Sequence, residues 1–222
     1  MLDLYCERRG PGLFAEPFNA TTNLAFLVAA FAAWRLARRG GGPSTGVATL
    51  IALAVTVGIG SALFHTFATP WAQVLDIVPI LAFQLAFLWL YLRRCVRLSP
   101  ATATALTVAY LVVCLGMREL PPYFNGSIIY APTLLVLVGL AIVHLRRGQP
   151  GRWLLVAAGG LFSAAVTFRS IDALACPYVP IGTHFLWHLL NGAVFYLAMR
   201  TLILEDETKR RPLGSVIGQP GS

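Results

Sequence analysis

Three histidines and an aspartate lie near the ends of segments that are otherwise apolar enough to sit in lipid. His65 closes one such segment, and Asp76 lies near the start of the next. His184 and His188 open the last segment, one helical turn apart, so both imidazoles point to the same face of a helix. Ionisable side chains are costly in hydrocarbon, so their presence there indicates a functional site.

These side chains are of the types that bind and use a catalytic zinc ion. Three histidine ligands with a water in the open fourth position form such a site, and a nearby carboxylate that is not a ligand can take the proton of that water. We therefore expect zinc on His65, His184 and His188, with Asp76 beside it. The alternative is that each histidine only makes a hydrogen bond inside a helix bundle, which explains one histidine better than three.

The overall composition is typical of a polytopic membrane protein. Hydrophobic residues make up 57% and charged residues 12% of the 222 residues, and the mean hydropathy is +0.72. These values lie outside the normal range for a soluble domain. Because the chain has no extended polar block, we expect one all-α domain over residues 1–222. Its ends are a short outer segment, residues 1–18, and a cytoplasmic tail, residues 204–222.

Seven apolar stretches have about 20 residues, the length of helix that crosses a bilayer. They cover residues 19–37, 45–66, 70–92, 100–117, 127–145, 152–172 and 181–203. The first is read as a retained span and not as a signal peptide, because no basic stretch precedes it and six more spans follow. The prediction is a bundle of seven transmembrane helices.

Lysine and arginine residues predict the orientation of this bundle. They cluster after the first, third and seventh spans and between the fifth and sixth, which is one side of the membrane if there are seven spans. The positive-inside rule places that side in the cytoplasm. The N-terminus and the predicted zinc site then lie on the outer side, and the C-terminus is cytoplasmic. The net charge of +8 is a topology signal and requires no nucleic-acid partner.

Two stretches of the chain resemble the alkaline ceramidases. Residues 58–65 (GIGSALFH), followed by Asp76, are similar to the second and third helices of that family. Residues 184–188 (HFLWH), followed by Asn191, are similar to its last helix. The wider superfamily includes the adiponectin and progestin receptors, which have seven spans and a similar zinc site.

The resemblance implies an integral membrane zinc hydrolase that cleaves the amide of ceramide, or of a related N-acyl lipid, to a free amino lipid and a fatty acid. It implies zinc on His65, His184 and His188 and a catalytic water held by Asp76. Ser61 would lie beside the carbonyl under attack and donate a hydrogen bond to the oxyanion, a role worth roughly 3 kcal/mol. The expected partners are a membrane lipid and the bilayer, and no protein partner is implied.

The N-terminal residues are similar to the part of the family that binds calcium in its animal members. The similarity rests on the stretch DLYCER and on the later stretch EPFN. It implies calcium ligation by Asp3, Glu7 and Glu16, whose carboxylates are hard oxygen ligands of the kind calcium takes. The alternative is that Glu7 and Glu16 pair with Arg8 or Arg9 and so order the entrance to the site.

Two of the four cysteines, Cys6 and Cys176, are predicted on the outer side of the membrane. The resemblance favours a disulfide between them, which would tie the N-terminus to the loop before the last span. Two separate thiols are the alternative.

Three further ionisable residues have structural interpretations. Arg169 and Asp172 lie three residues apart on one helix, which predicts a buried or interfacial ion pair. Asp172 could instead brace a histidine that binds zinc. His144 lies beside two arginines at the inner end of its span, which predicts an interfacial side chain.

Two other functional classes remain as alternatives. In a receptor or transducer of the adiponectin and progestin receptor type, the zinc site would turn over slowly or only incidentally. The short inner tail offers little for a partner to bind, which favours an enzyme. A haem-binding electron carrier would need single histidines facing each other from two helices, and a transporter would be expected to have repeats or broken helices. Neither pattern is present in the sequence.

Overall fold

The computed structural model describes residues 2–210, which form eight α-helices and no strand. The helices are α1 (Pro17–Thr22), α2 (Leu24–Arg39), α3 (Thr45–Phe67), α4 (Pro70–Tyr91), α5 (Pro100–Gly116), α6 (Ala131–Arg146), α7 (Leu154–Ala175) and α8 (His184–Arg210). Short helical turns follow α4 (Leu92–Val96) and α5 (Met117–Glu119), and another precedes α6 (Ser127–Tyr130). The predicted all-α architecture is confirmed.

Six helical segments of the described chain are long and apolar enough to cross a membrane. The first comprises α1 and α2, which are separated only by Asn23. The last helix, α8, is longer than any of these segments but less apolar, because His184, His188 and Asn191 lie in its first turns and charged residues lie in its last turns. Counting α8, the bundle has seven long helical segments, in the order that the sequence predicts.

The last helix continues beyond the predicted end of its span at residue 203 and runs to Arg210. Its final turns are held by polar contacts, since Asp206 forms an ion pair with Arg94 at 3.0 Å and accepts a hydrogen bond from Ser44. Residues 204–210 of the predicted tail are therefore helical. Residues 211–222 of that tail lie outside the described residues.

A tight turn between α3 and α4 brings the early site residues together. Ala68 ends α3 in the left-handed conformation, and α4 starts at Pro70, a residue suited to a first helical turn. About two turns before the end of α3, a Cβ atom on Gly60 would collide with the backbone carbonyl of Leu75 of α4. The two helices can approach this closely only because residue 60 has no side chain. Ser61 of α3 consequently lies next to α4.

Buried apolar side chains from α2 to α8 form one continuous core. Close contacts between helices occur beside this core. A Cβ atom on Gly192 of α8 would lie 2.7 Å from the Cβ atom of Ala25 of α2. This small residue lets α8 pack tightly on α2 and so places the first turns of α8 at the end of the bundle that carries His65.

The N-terminal segment is fastened across this same end of the bundle. A disulfide joins Cys6 to Cys176, which follows α7. The backbone N–H of Leu2 donates to the carbonyl of Ala68 at 2.7 Å. The segment therefore covers the ends of α3 and α8, where the three histidines lie.

Candidate functional site

His65, His184 and His188 form one buried cluster. Their side chains are only 1%, 2% and 1% exposed, and each offers a ring nitrogen within 4.8 Å of those of the other two. The ring centroids of His65 and His188 are 4.7 Å apart, as are those of His184 and His188. The last turn of α3 and the first two turns of α8 thus bring together the three residues that the sequence predicts.

Neighbouring side chains hold two of the three imidazoles in position. Nδ1 of His65 lies 2.6 Å from a carboxylate oxygen of Glu16, and Nδ1 of His188 lies 3.0 Å from the hydroxyl of Thr22. Nδ1 of His184 is buried and has no hydrogen-bond partner among the described residues. Three buried imidazoles, two of them oriented through their outer nitrogens, are a donor set that fits a zinc ion.

A chain of buried charges continues outward from His65. Nε of Arg8 donates to Glu16 at 2.5 Å, and Nη2 of Arg8 donates to the backbone carbonyl of His65 at 2.8 Å. Arg8 and Glu16 are 4% and 2% exposed. The N-terminal segment therefore contacts the histidine both through its ring and through its backbone.

Two of the three residues suggested as calcium ligands, Glu7 and Glu16, already have other partners, and the third, Asp3, is exposed. The carboxylate of Glu16 is shared between Arg8 and His65. The two oxygens of Glu7 accept the backbone N–H groups of Phe18 and Asn19 at the start of α1. The alternative interpretation, that Glu16 pairs with Arg8, describes the structure.

The surroundings act in opposite directions on the pKa of these two glutamates. Burial raises the pKa of Glu7, and the N–H groups that it accepts oppose this only in part. Burial also acts to raise the pKa of Glu16, but the hydrogen bonds from His65, Arg8 and Asn19 outweigh it and hold that pKa below its ordinary value. Glu16 is therefore a carboxylate at neutral pH, matched to the donors around it.

Asp76 and Ser61 face a cavity beside the histidines. His184 and His188 form part of its wall. The Ser61 side chain interacts with the Asp76 carboxylate. A second cavity, lined mainly by apolar side chains of the core, shares several wall residues with the first. A cavity with polar side chains in its wall thus adjoins an apolar space that extends into the bundle.

The predicted ion pair between Arg169 and Asp172 is wrong. Asp172 accepts backbone N–H groups from Cys6 at 2.9 Å, Thr183 at 2.7 Å and His184 at 2.9 Å. The first N–H groups of a helix have no partner within the helix, so a carboxylate at the start of α8 satisfies them. Asp172 therefore positions His184 through its backbone and not through its ring.

His144 was predicted to be interfacial, yet it is only 1% exposed. Its Nδ1 lies 3.0 Å from the hydroxyl of Tyr91, and its Nε2 lies 3.2 Å from the carbonyl of Pro150. A tyrosine and a chain reversal at the other end of the bundle bury this histidine, and it has no contact with the cluster.

Some contacts of the cluster have no signal in the sequence. Tyr5 stacks on His184 with ring centroids 3.6 Å apart, and Thr22 contacts His188. Both residues come from the N-terminal segment and α1, far from the last helix in the chain, and neither belongs to a metal-ligand spacing.

The chain was compared with known proteins. Residues 6–214, nearly the whole chain, match the family model described as Ceramidase. No curated protein matched the chain. The matched range contains the three clustered histidines, Asp76 and Ser61. The chain therefore belongs to the ceramidase family.

Proposed function

We propose that this protein is a zinc-dependent membrane amidase that hydrolyses the N-acyl bond of ceramide, or of a related lipid amide, to a free amino lipid and a fatty acid. The observation that carries the proposal is the buried cluster of His65, His184 and His188 in the wall of a cavity that also contains Asp76 and continues into an apolar space. Membership of the ceramidase family supports the same reaction class.

The three histidines are the residues that would hold the zinc ion. When bound, zinc polarises an amide carbonyl and lowers the pKa of water to about 7. The outer nitrogens of His65 and His188 are occupied by Glu16 and Thr22, so these rings are presented in one orientation.

Asp76 is the proton carrier in this proposal. Its carboxylate takes a proton from the attacking water as the new carbon–oxygen bond forms. It then gives the proton to the amine nitrogen as the carbon–nitrogen bond breaks. Ser61 of α3 interacts with this carboxylate of α4. A hydroxyl has one proton to donate, and once Asp76 has taken the proton of the water, Ser61 is the donor for the negative charge that develops on the carbonyl oxygen.

The two cavities would bind different parts of the substrate. The amide would lie in the cavity that contains Asp76, and the alkyl chains would lie among aromatic and aliphatic side chains such as Phe83, Phe162 and Phe195. The lipid would enter sideways from the bilayer. The basic residues after alternate spans support an outer location of the site and of the N-terminus, with the C-terminus in the cytoplasm.

Metal removal tests the proposal directly. Purified protein should contain about one zinc per chain and should release fatty acid from a short-chain fluorescent ceramide. A strong chelator should abolish both metal content and hydrolysis, and added zinc should restore both. Metal content is measured by mass spectrometry on the same samples. Hydrolysis that survives complete removal of zinc would contradict the proposal.

The contact between Glu16 and His65 gives a separate prediction. Glu16→Gln should weaken zinc binding by about 10- to 100-fold, because the carboxylate orients the ring and makes it a better ligand. Zinc affinity is measured by competition with a chelator. Glu205→Gln is the matched control, since Glu205 is also buried and ion-paired but lies near the other end of α8. Equal zinc affinity in both variants would exclude this role for Glu16.

A further inference from the structure

The cavity beside the histidines carries an excess of positive charge. Its wall contains two guanidinium groups, those of Arg118 and Arg169, and a single carboxylate, that of Asp76. Histidines that bind a metal are neutral, so they do not offset this charge. A neutral lipid amide carries no charge that these guanidinium groups could pair with.

Arg169 is held rigidly at this wall by neutral groups. Its Nη1 donates to the carbonyl of Asn125 and to the hydroxyl of Ser127, both at 2.9 Å. Its Cζ lies 5.2 Å from the ring centroid of Tyr130 and 6.0 Å from that of Trp187. These contacts fix the plane of the guanidinium, and the two aromatic rings offset only part of its charge.

The charge of Arg169 has no close counter-ion. None of the carboxylates in residues 2–210 lies within 4.0 Å of its guanidinium, and its Nε is buried without a hydrogen-bond partner. Asp76 acts on it only through space. Arginine remains charged in proteins, and a charge removed from water is costly unless it is paired. A ligand that brings an anion would remove this cost.

We propose that the substrate is an N-acyl lipid whose amine side carries an anionic group, a carboxylate or a phosphate, and that Arg169 binds this group. The proposal rests on the proposed amidase function. A carboxylate and a phosphate each present two oxygen atoms that a guanidinium can bind through two parallel hydrogen bonds. Arg118 lies at the exposed edge of the cavity, where solvent screens its charge. It therefore contributes less than Arg169.

Three amides with the same acyl chain and similar amine sides test the proposal. They are N-dodecanoylglycine, the phosphate ester of N-dodecanoylethanolamine, and neutral N-dodecanoylethanolamine. The zinc-loaded protein should have a kcat/KM about tenfold or more higher for an anionic amide than for the neutral one, as expected for hydrogen bonds to a charged group. The carboxylate and the phosphate compounds distinguish the two kinds of anion.

Variants of Arg169 then identify the group that sets the preference. Arg169→Gln should reduce the anionic-to-neutral ratio of kcat/KM to about one, and Arg169→Lys, which keeps the charge but not the planar fork, should give an intermediate ratio. Arg147→Gln is the matched control, because Arg147 donates to backbone carbonyls of Cys95 and Val96 at the opposite end of the bundle. It should keep the wild-type ratio.

A wild-type ratio of one or less would overturn the proposal, whether or not the Arg169 variants fold. A preference that survives unchanged in folded Arg169→Gln would overturn it as well. If the zinc-loaded protein hydrolyses none of the three amides or ceramide, the amidase function itself fails. Binding of N-dodecanoylglycine to zinc-free protein in neutral detergent, compared with the ethanolamide, then decides the anion site by itself. Equal binding of the two compounds would exclude it.

Discussion

His184→Gln should remove the zinc and the hydrolytic activity together. His184 is buried between the other two histidines and the ring of Tyr5, and its Nδ1 has no protein partner among the described residues. Two remaining imidazoles are fewer than the three protein ligands of a catalytic zinc site. Activity should fall by about 10³-fold or more, since several kcal/mol of transition-state stabilisation depends on the metal. Zinc content and release of fatty acid are measured on the same purified protein.

The fourth histidine provides the matched control for this experiment. His144 is as buried as the clustered histidines, but its ring contacts Tyr91 and Pro150 at the other end of the bundle. His144→Gln should cost some stability and leave zinc content and activity near wild type. An active, zinc-free His184→Gln protein would refute the assignment of the site, and so would equal loss of zinc in the two variants.

Asp76→Asn should separate metal binding from catalysis. Asp76 does not belong to the group of side chains that could hold the metal ion. The three histidines of that group should therefore still bind about one zinc per chain. An amide cannot take the proton of water and return it to the leaving amine. The expected loss in kcat is therefore about 10²- to 10⁴-fold, the usual contribution of a positioned acid and base. Steady-state kinetics and zinc content are measured in parallel.

Asp206→Asn is the corresponding control, because Asp206 pairs with Arg94 and Ser44 at the end of the bundle away from the histidines. This exchange makes the same chemical change and should leave kcat near wild type. Loss of zinc in Asp76→Asn would instead identify Asp76 as a metal ligand. Full activity in this variant would remove it from the reaction.

Local properties of the chain were enough to predict the helical architecture. Apolar stretches of membrane length are a property of consecutive residues, because a helix in lipid must satisfy its backbone within one segment. The exception is α8, whose polar residues at both ends lower its apolarity. The family resemblance still identified its first turns, since HFLWH is a local pattern.

The arrangement around the histidines was not predictable in the same way. For Glu16 the sequence left calcium ligation and pairing with Arg8 or Arg9 as alternatives; the structure pairs it with Arg8 and adds a contact with His65 that was not expected. Arg169 and Asp172 have the spacing of an ion pair, yet Asp172 accepts three backbone N–H groups instead. Spacing along one helix indicates which side chains are able to meet. It does not indicate which partner from another segment is closer or better matched.

The sequence by itself determined the order of the long helical segments and which of them carry His65, Asp76, His184 and His188. These depend on hydrophobicity and on residues one helical turn apart. Only the tertiary structure decided how the N-terminal segment closes over the cluster, which carboxylate orients His65, and which neutral groups surround Arg169. Such contacts join residues far apart in the chain, and their energies depend on burial and distance, which appear only when the helices pack.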